Sequence, residues 1–144
     1  MAQFEWKSEY SVGDETLDAQ HQEMVRIMNE LHELLQEPAE AEVEGRIAFI
    51  FGSLADYIAT HFAYEEERMV DARYPYEKLV AHRVEHHELV KKVRRFHADV
   101  AEGNREGLLE LMPYLYGEWL VHHICQQDMD YKPFMDARRI ELAA

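Results

Sequence analysis

Four stretches of the chain carry apolar residues at alternating steps of three and four, the spacing that lines one face of an α-helix. The first reads His21, Met24, Met28, Leu31, Leu35 and predicts a helix from near Leu17 to Glu37. Pro38 stops it, because the residue before a proline is pushed out of α geometry. The second places Val43, Ile47, Ile50, Leu54, Ile58, His61, Glu65 and Met69 on one broad face and is expected to end before Arg73-Tyr74-Pro75. The third carries Leu79, His82, His86, Leu89, Val93, Phe96 and Val100, and is expected to close at Glu102-Gly103-Asn104, where glycine and asparagine tolerate a left-handed conformation. The fourth includes Leu108, Met112, Leu115, Trp119, His123 and Ile124 and is expected to end before Pro133, with Pro113 marking either its start or a kink. Residues 1 to about 16 lack this period but hold Phe4, Trp6 and Tyr10, an arm expected to pack its aromatics on the helices. Four amphipathic helices with short joins predict an all-α, antiparallel up-down-up-down four-helix bundle. The expected layout is a single domain over 1–144, the arm over about 1–16 and the bundle over about 17–132.

What breaks the stripes is polar. His21, His61 with Glu65, His82 with His86, and His123 with Asp128 all stand where an apolar residue belongs. A lone histidine in such a place is ordinarily a hydrogen-bonded core residue, but here the exceptions recur on all four helices. Left unpaired, so many buried polar groups would cost a few kcal/mol each. A metal centre removes the conflict, since neutral imidazoles and ionised carboxylates are its natural ligands. His61 and Glu65 are four residues apart, as are His82 and His86, so each pair points from one helical face. Helices packed ~8–10 Å apart can converge such pairs on one site. His123 to Asp128 is a five-residue step, which sets the two roughly 140° apart on an ideal helix. A π-bulge, or a long reach towards a bridging position, would resolve it.

Composition narrows the classes. The formal net charge of −14 repels phosphate backbones and speaks against nucleic-acid binding. One cysteine, Cys125, excludes an intrachain disulfide and a cysteine-rich metal cage. The N-terminus has no basic, then apolar, signal-peptide pattern, and no apolar run approaches the ~20 residues of a membrane span. The expectation is a cytoplasmic protein with no membrane insertion. Four of the nine histidines remain outside the metal set. His122 and His87 fall off their neighbours' faces. His32 and His97 lie eleven residues beyond His21 and His86, on the same faces but ~16 Å along the axis, and read as a polar pair at the bundle's end.

Taken in order, Ser11-Val12-Gly13, Asp18-Ala19-Gln20-His21, the run His61 to Met69, His82-x3-His86, and Trp119 to Ile124 followed by Asp128 resemble the hemerythrins, especially the single-domain bacterial ones. The resemblance spans nearly the whole chain and fills all seven ligand positions. It implies two iron ions under an oxo or hydroxo bridge. His82, His86 and His123 would cap one iron, and His21 and His61 the other. Glu65 and Asp128 would bridge them, leaving an open position for dioxygen on the iron with two histidines. By position against the family, Met24, Phe62, Trp119, Leu120 and Ile124 would wall an apolar oxygen pocket, and Cys125 falls where relatives have a bulky aliphatic residue. The thiol reads either as a small buried side chain or as a redox-sensitive neighbour of the centre.

Rival readings fit less well. A ferritin-like centre needs Glu-x-x-His motifs, which are absent, and a zinc hydrolase needs His-Glu-x-x-His, also absent. A haem bundle leaves Glu65 and Asp128 without a role. The leading functional expectation is reversible oxygen binding for transport, storage or delivery rather than catalysis, with no protein partner identified. An oxygen or redox sensor is a second reading, an enzyme acting on peroxide or nitric oxide a third, and iron storage a fourth.

Overall fold

The computed structural model describes residues 4–38, 40–101 and 105–143; the side chains of residues 100, 101, 105, 107, 108, 111 and 118–121 lie outside that description. Helix α1 (Glu15–Leu34) starts on Asp14, whose side chain accepts from the Leu17 N–H and so satisfies one of the unpaired donors of the first turn. Helix α2 (Ala41–Asp71) is the longest, and α3 (Tyr76–Ala101) returns beside it. The fourth rod is composite. It begins as α4 (Arg105–Tyr114), widens into a π-helical stretch (Leu115–Gln127) and tightens into a 3₁₀ turn (Asp128–Tyr131). A further helix, α5 (Lys132–Ala143), follows and packs back on α2. The result is a four-helix bundle in which α1 packs on α2, α2 on α3, and α3 on α4.

The sequence expectations are refined at three places. The fourth rod ends at Tyr131, before Pro133, but the chain goes on as a further helix in which Pro133 is the second residue, where its missing N–H would have had no intrahelical partner anyway. Pro113 does not start the fourth helix, which leaves the other expectation, a local irregularity. It sits next to last in α4, and the hydrogen-bonding ladder changes register immediately after it. On α2, Phe51 rather than Ile50 is the fully buried residue of its turn. The expected closure of the third helix at residues 102–104 lies outside the described residues.

The turn from α2 to α3 shows how local rules position the rods. The Tyr74 N–H bonds the Met69 carbonyl and the Arg73 N–H bonds that of Val70, with Arg73 left-handed at φ 61°. This is the Schellman pattern, completed by Met69 and Tyr74 sharing one apolar cluster and by Pro75 beyond. The arm is tied at two places. Asp18 accepts from the Ser11 hydroxyl at 2.5 Å and the Val12 N–H at 2.8 Å. Asn29 donates to the Phe4 carbonyl at 3.0 Å and accepts from the Tyr116 hydroxyl at 2.8 Å. Phe4 and Trp6 pack against the core as the sequence led us to expect.

The apolar core comes in two parts. One gathers Met24, Met28, Leu31, Phe51, Leu54, Ile58, Phe62, Leu89, Val93 and Ile124 among others; the second gathers Val12, Leu17, Met69, Leu79, Tyr131 and Met135. On every rod a polar exception falls between members of the two: His21 between Leu17 and Met24, Glu65 between Phe62 and Met69, His82 and His86 between Leu79 and Leu89, and Asp128 between Ile124 and Tyr131, with His61 and His123 at the inner edge of the larger cluster. By length and mean hydropathy (1.2), α2 alone among the described residues could cross a membrane; here its Ile47, Phe51, Leu54 and Ile58 are buried and its His61 and Glu65 join the polar layer.

Among the described residues, only Gly13 and Arg73 have positive φ, and they should respond in opposite senses. Gly13 lies at φ 82°, and an added Cβ would meet the Asp136 carboxylate at 2.5 Å. Gly13→Ala is expected to destabilise by about 1–2 kcal/mol and Arg73→Gly to stabilise by about 1 kcal/mol. Urea unfolding of the metal-free variants measures both; an unchanged midpoint for Gly13→Ala would contradict the strained geometry.

Candidate metal centre

Seven polar residues form the layer between the two apolar clusters: His21, His61, Glu65, His82, His86, His123 and Asp128, none more than 5% exposed. The five-residue step that fits a plain helix poorly is resolved by the backbone. The Asp128 N–H donates to the His123 carbonyl, an i→i+5 bond, so one wide π turn separates the two residues and returns both to the centre.

The carboxylate oxygens divide the histidines. Glu65 Oε1 faces Nε2 of His86 at 2.9 Å, His82 at 3.1 Å and His123 at 4.0 Å. Its Oε2 faces Nε2 of His61 at 3.3 Å and His21 at 3.4 Å. Asp128 repeats the split, with Oδ1 2.9 Å from His82 and 3.2 Å from His123, and Oδ2 3.4 Å from His21. Ligand atoms of Glu65, His82, His86, His123 and Asp128 converge within 4.8 Å of one another, and so do those of His21, His61 and Glu65. Two adjoining clusters with carboxylates between them are the donor set for two cations.

The fit is also visible in what is left unpaired. Among the described residues, both ring nitrogens of His21, Nε2 of His61 and both oxygens of Asp128 are buried without an aligned hydrogen bond, close as some of them lie to one another. His86 and His123 point Nε2 at one another across 3.0 Å, two atoms that would both prefer a cation. Buried groups in such a state are expensive, and coordination satisfies them together.

Electrostatics keep the carboxylates ready. Burial alone would raise Glu65, but His21, His61, His82 and His86 outweigh it and hold the carboxyl well below the usual range. For Asp128, burial and the Glu65 charge push upward, yet His123, His21 and His82 leave it lowered. Burial opposes charging of His21 and His82, but the Asp128 and Glu65 carboxylates push them up to about 9 and about 10. Burial wins at His61, which is lowered.

Around this layer stand residues that the sequence reading did not assign to the centre. Tyr131, fully buried, donates its hydroxyl to Glu65 Oε2 at 2.9 Å. Burial, with the charges of Asp128 and Glu65, raises its pKa well above normal, so it remains a donor. Trp6 of the arm lies beside His21, ring centres 6.1 Å apart. Gln20, Glu66 and Gln127 meet the outer ring nitrogens of His61, His86 and His123. In the sequence, Gln20 and Glu66 lie inside the motifs that carry the resemblance, and Gln127 lies next to Asp128 and four residues after His123.

Of the expected pocket residues, Met24, Phe62 and Ile124 are buried in the larger apolar cluster. Phe62 stacks on His86 at 3.7 Å between ring centres and meets His123 edge-on. The side chains of Trp119 and Leu120 lie outside the described residues. Cys125 is half-buried; burial, Asp128 and Glu9 push its thiol up to about 11, so near neutral pH it is not a thiolate. His122 is exposed and bonds Gln126 at 3.2 Å, and His87 is exposed as well. His32 packs edge-on against Tyr116 and His97 against Phe51, each with its own ring neighbour.

The family description Hemerythrin HHE cation binding domain matches residues 12–135. The chain belongs to the hemerythrin family. Bacteriohemerythrin of Clostridium acetobutylicum is 29% identical over 128 residues, covering 89% of this chain and 98% of that protein. Bacteriohemerythrin of Pseudomonas aeruginosa PAO1 is 30% identical over 131 residues, covering 91% and 80%. A crystal structure of wild-type hemerythrin superposes with a TM-score of 0.78 at 24% identity, over 94% of this chain and 99% of that one, a likeness of fold. Hemerythrins bind oxygen at a di-iron centre, and the buried cluster of this bacterial member is suited to two metal ions. The chain is thus a di-iron, oxygen-binding domain.

His61→Ala should abolish stable uptake of two irons per chain, because it removes one of the two rings on the smaller side. His122→Ala should load like the wild type. Iron counted by inductively coupled plasma spectrometry after desalting distinguishes them; equal loss in both would mean that the wrong rings have been chosen.

Proposed function

We propose that this chain binds dioxygen reversibly and acts as an oxygen carrier, store or local supply in the cytoplasm. The observation that supports it best is the division of the carboxylate oxygens, three histidines on Oε1 and Oδ1 against two on Oε2 and Oδ2. His82, His86 and His123 would hold one iron and His21 and His61 the other, with Glu65 and Asp128 spanning both. When bound, the ferrous pair supplies the two electrons and the vacant position that dioxygen needs. The protein's own part is to hold and to exclude. Tyr131 fixes one oxygen of Glu65 by its hydrogen bond, so the spanning carboxylate cannot swing away. Met24, Phe62 and Ile124 put apolar surface against the layer and keep out the water and anions that would displace a bound gas. The protonated Cys125 offers no thiolate to divert the chemistry.

Anaerobic loading with ferrous iron followed by oxygen should develop a visible charge-transfer band that disappears when oxygen is removed and returns when it is restored. Irreversible conversion to the ferric form within the first cycle would contradict a carrier and favour redox chemistry at the same centre.

A further inference from the structure

A histidine that binds metal through Nε2 carries its proton on Nδ1, and the acceptor placed there sets both ring orientation and ligand strength. The acceptors differ between the two halves of this centre. On the three-histidine side, His86 Nδ1–H donates to the Glu66 carboxylate at 3.1 Å, and Arg83 anchors the other oxygen of Glu66 at 2.9 Å. His123 Nδ1–H donates to Gln127 Oε1 at 3.0 Å. The Gln127 amide in turn donates to Glu85 at 2.6 Å, whose second oxygen lies 3.7 Å from the same ring nitrogen. On the two-histidine side, among the described residues, His61 Nδ1–H meets only the neutral amide oxygen of Gln20 at 2.7 Å, and Nδ1 of His21 has no partner.

Two anionic groups therefore back one set of imidazoles and none backs the other. A carboxylate behind an imidazole raises its basicity as a ligand, whereas an amide orients the ring with far less effect on its charge. We propose that Glu66, and Glu85 through Gln127, are positioning residues that make the three-histidine half the stronger site, filled first and held longest. Gln20 keeps the two-histidine half a weaker, more electron-poor site. That inequality suits a centre in which one metal is anchored and its neighbour must accept an external ligand. The inference rests on the reading of the cluster as a di-iron site.

The test is anaerobic titration of the metal-free protein with Co²⁺, whose visible spectrum reports each binding step, and histidine ¹⁵N spectra of the Zn²⁺-loaded protein. Glu66→Gln preserves shape and an acceptor oxygen but removes the charge. It should weaken the first cobalt step about 10–100-fold and leave the second near wild type. The His86 Nδ1–H resonance should move upfield, and Glu66→Asp should restore much of both. Gln20→Glu should strengthen the second step alone. A wild-type first step in Glu66→Gln, or equal weakening of both steps, would overturn the proposal. Uptake of fewer than two cobalt ions by the wild type would instead overturn the di-iron reading itself.

Discussion

A carboxylate taken wholly out of water is costly unless its lone pairs find partners, and Glu65 is fully buried with five imidazoles and a phenol around it. These neighbours come from all four rods: His21 from α1, His61 from its own helix one turn back, His82 and His86 from α3, His123 from the π-helical stretch, Tyr131 from the turn after it. The requirement that Glu65 be satisfied therefore fixes the registers of all four rods against one another. A slip of one turn in any of them would leave the charge facing hydrocarbon. Stability is sacrificed across this layer for a site in which seven donors are in place before any cation arrives.

The bundle was legible because burial writes a period of three and four into the sequence wherever a helix lies on a core, and four such stripes leave few architectures open. The buried polar layer was partly legible as what interrupts those stripes: His61 with Glu65 and His82 with His86 by their spacing, His21 by its stripe, and His123 chiefly by the resemblance. Asp128 was the difficult one, because its position depends on the turn being one residue wider than an α-helix, and no residue in Leu115–Gln127 announces an i→i+5 ladder. The helix beyond Pro133 was missed for a related reason: a proline is read as a stop, but in a first turn it costs nothing. The outer residues were hidden more deeply. Gln20 and Glu66 look like ordinary surface positions beside a ligand, and Tyr131 like any core aromatic, until rotation about each helix shows which ring atom they meet.

The surroundings of the centre are as unequal as its two halves. A carboxylate stands behind His86, an amide held by Glu85 behind His123, an amide without such a carboxylate behind His61, and an indole from the arm lies beside His21. The arm joins this arrangement through Asn29, which holds the Phe4 backbone on one side and Tyr116 on the other. Its aromatics therefore belong to the bundle and are not an appendage.

The division of the apolar core into two clusters bears on how cooperatively the molecule melts. Neither cluster spans the bundle, and the layer that separates them gains little from burial until its charges are matched. With metal held by this layer, coordination bonds from all four rods would stitch the clusters into a single unit that must come apart at once. Without it, the end built from Val12, Leu17, Met69, Leu79, Tyr131 and Met135 has the smaller store of hydrophobic energy and is the natural place for opening to begin. Iron in this protein is then both the oxygen-binding element and the rivet that makes two partial cores behave as one.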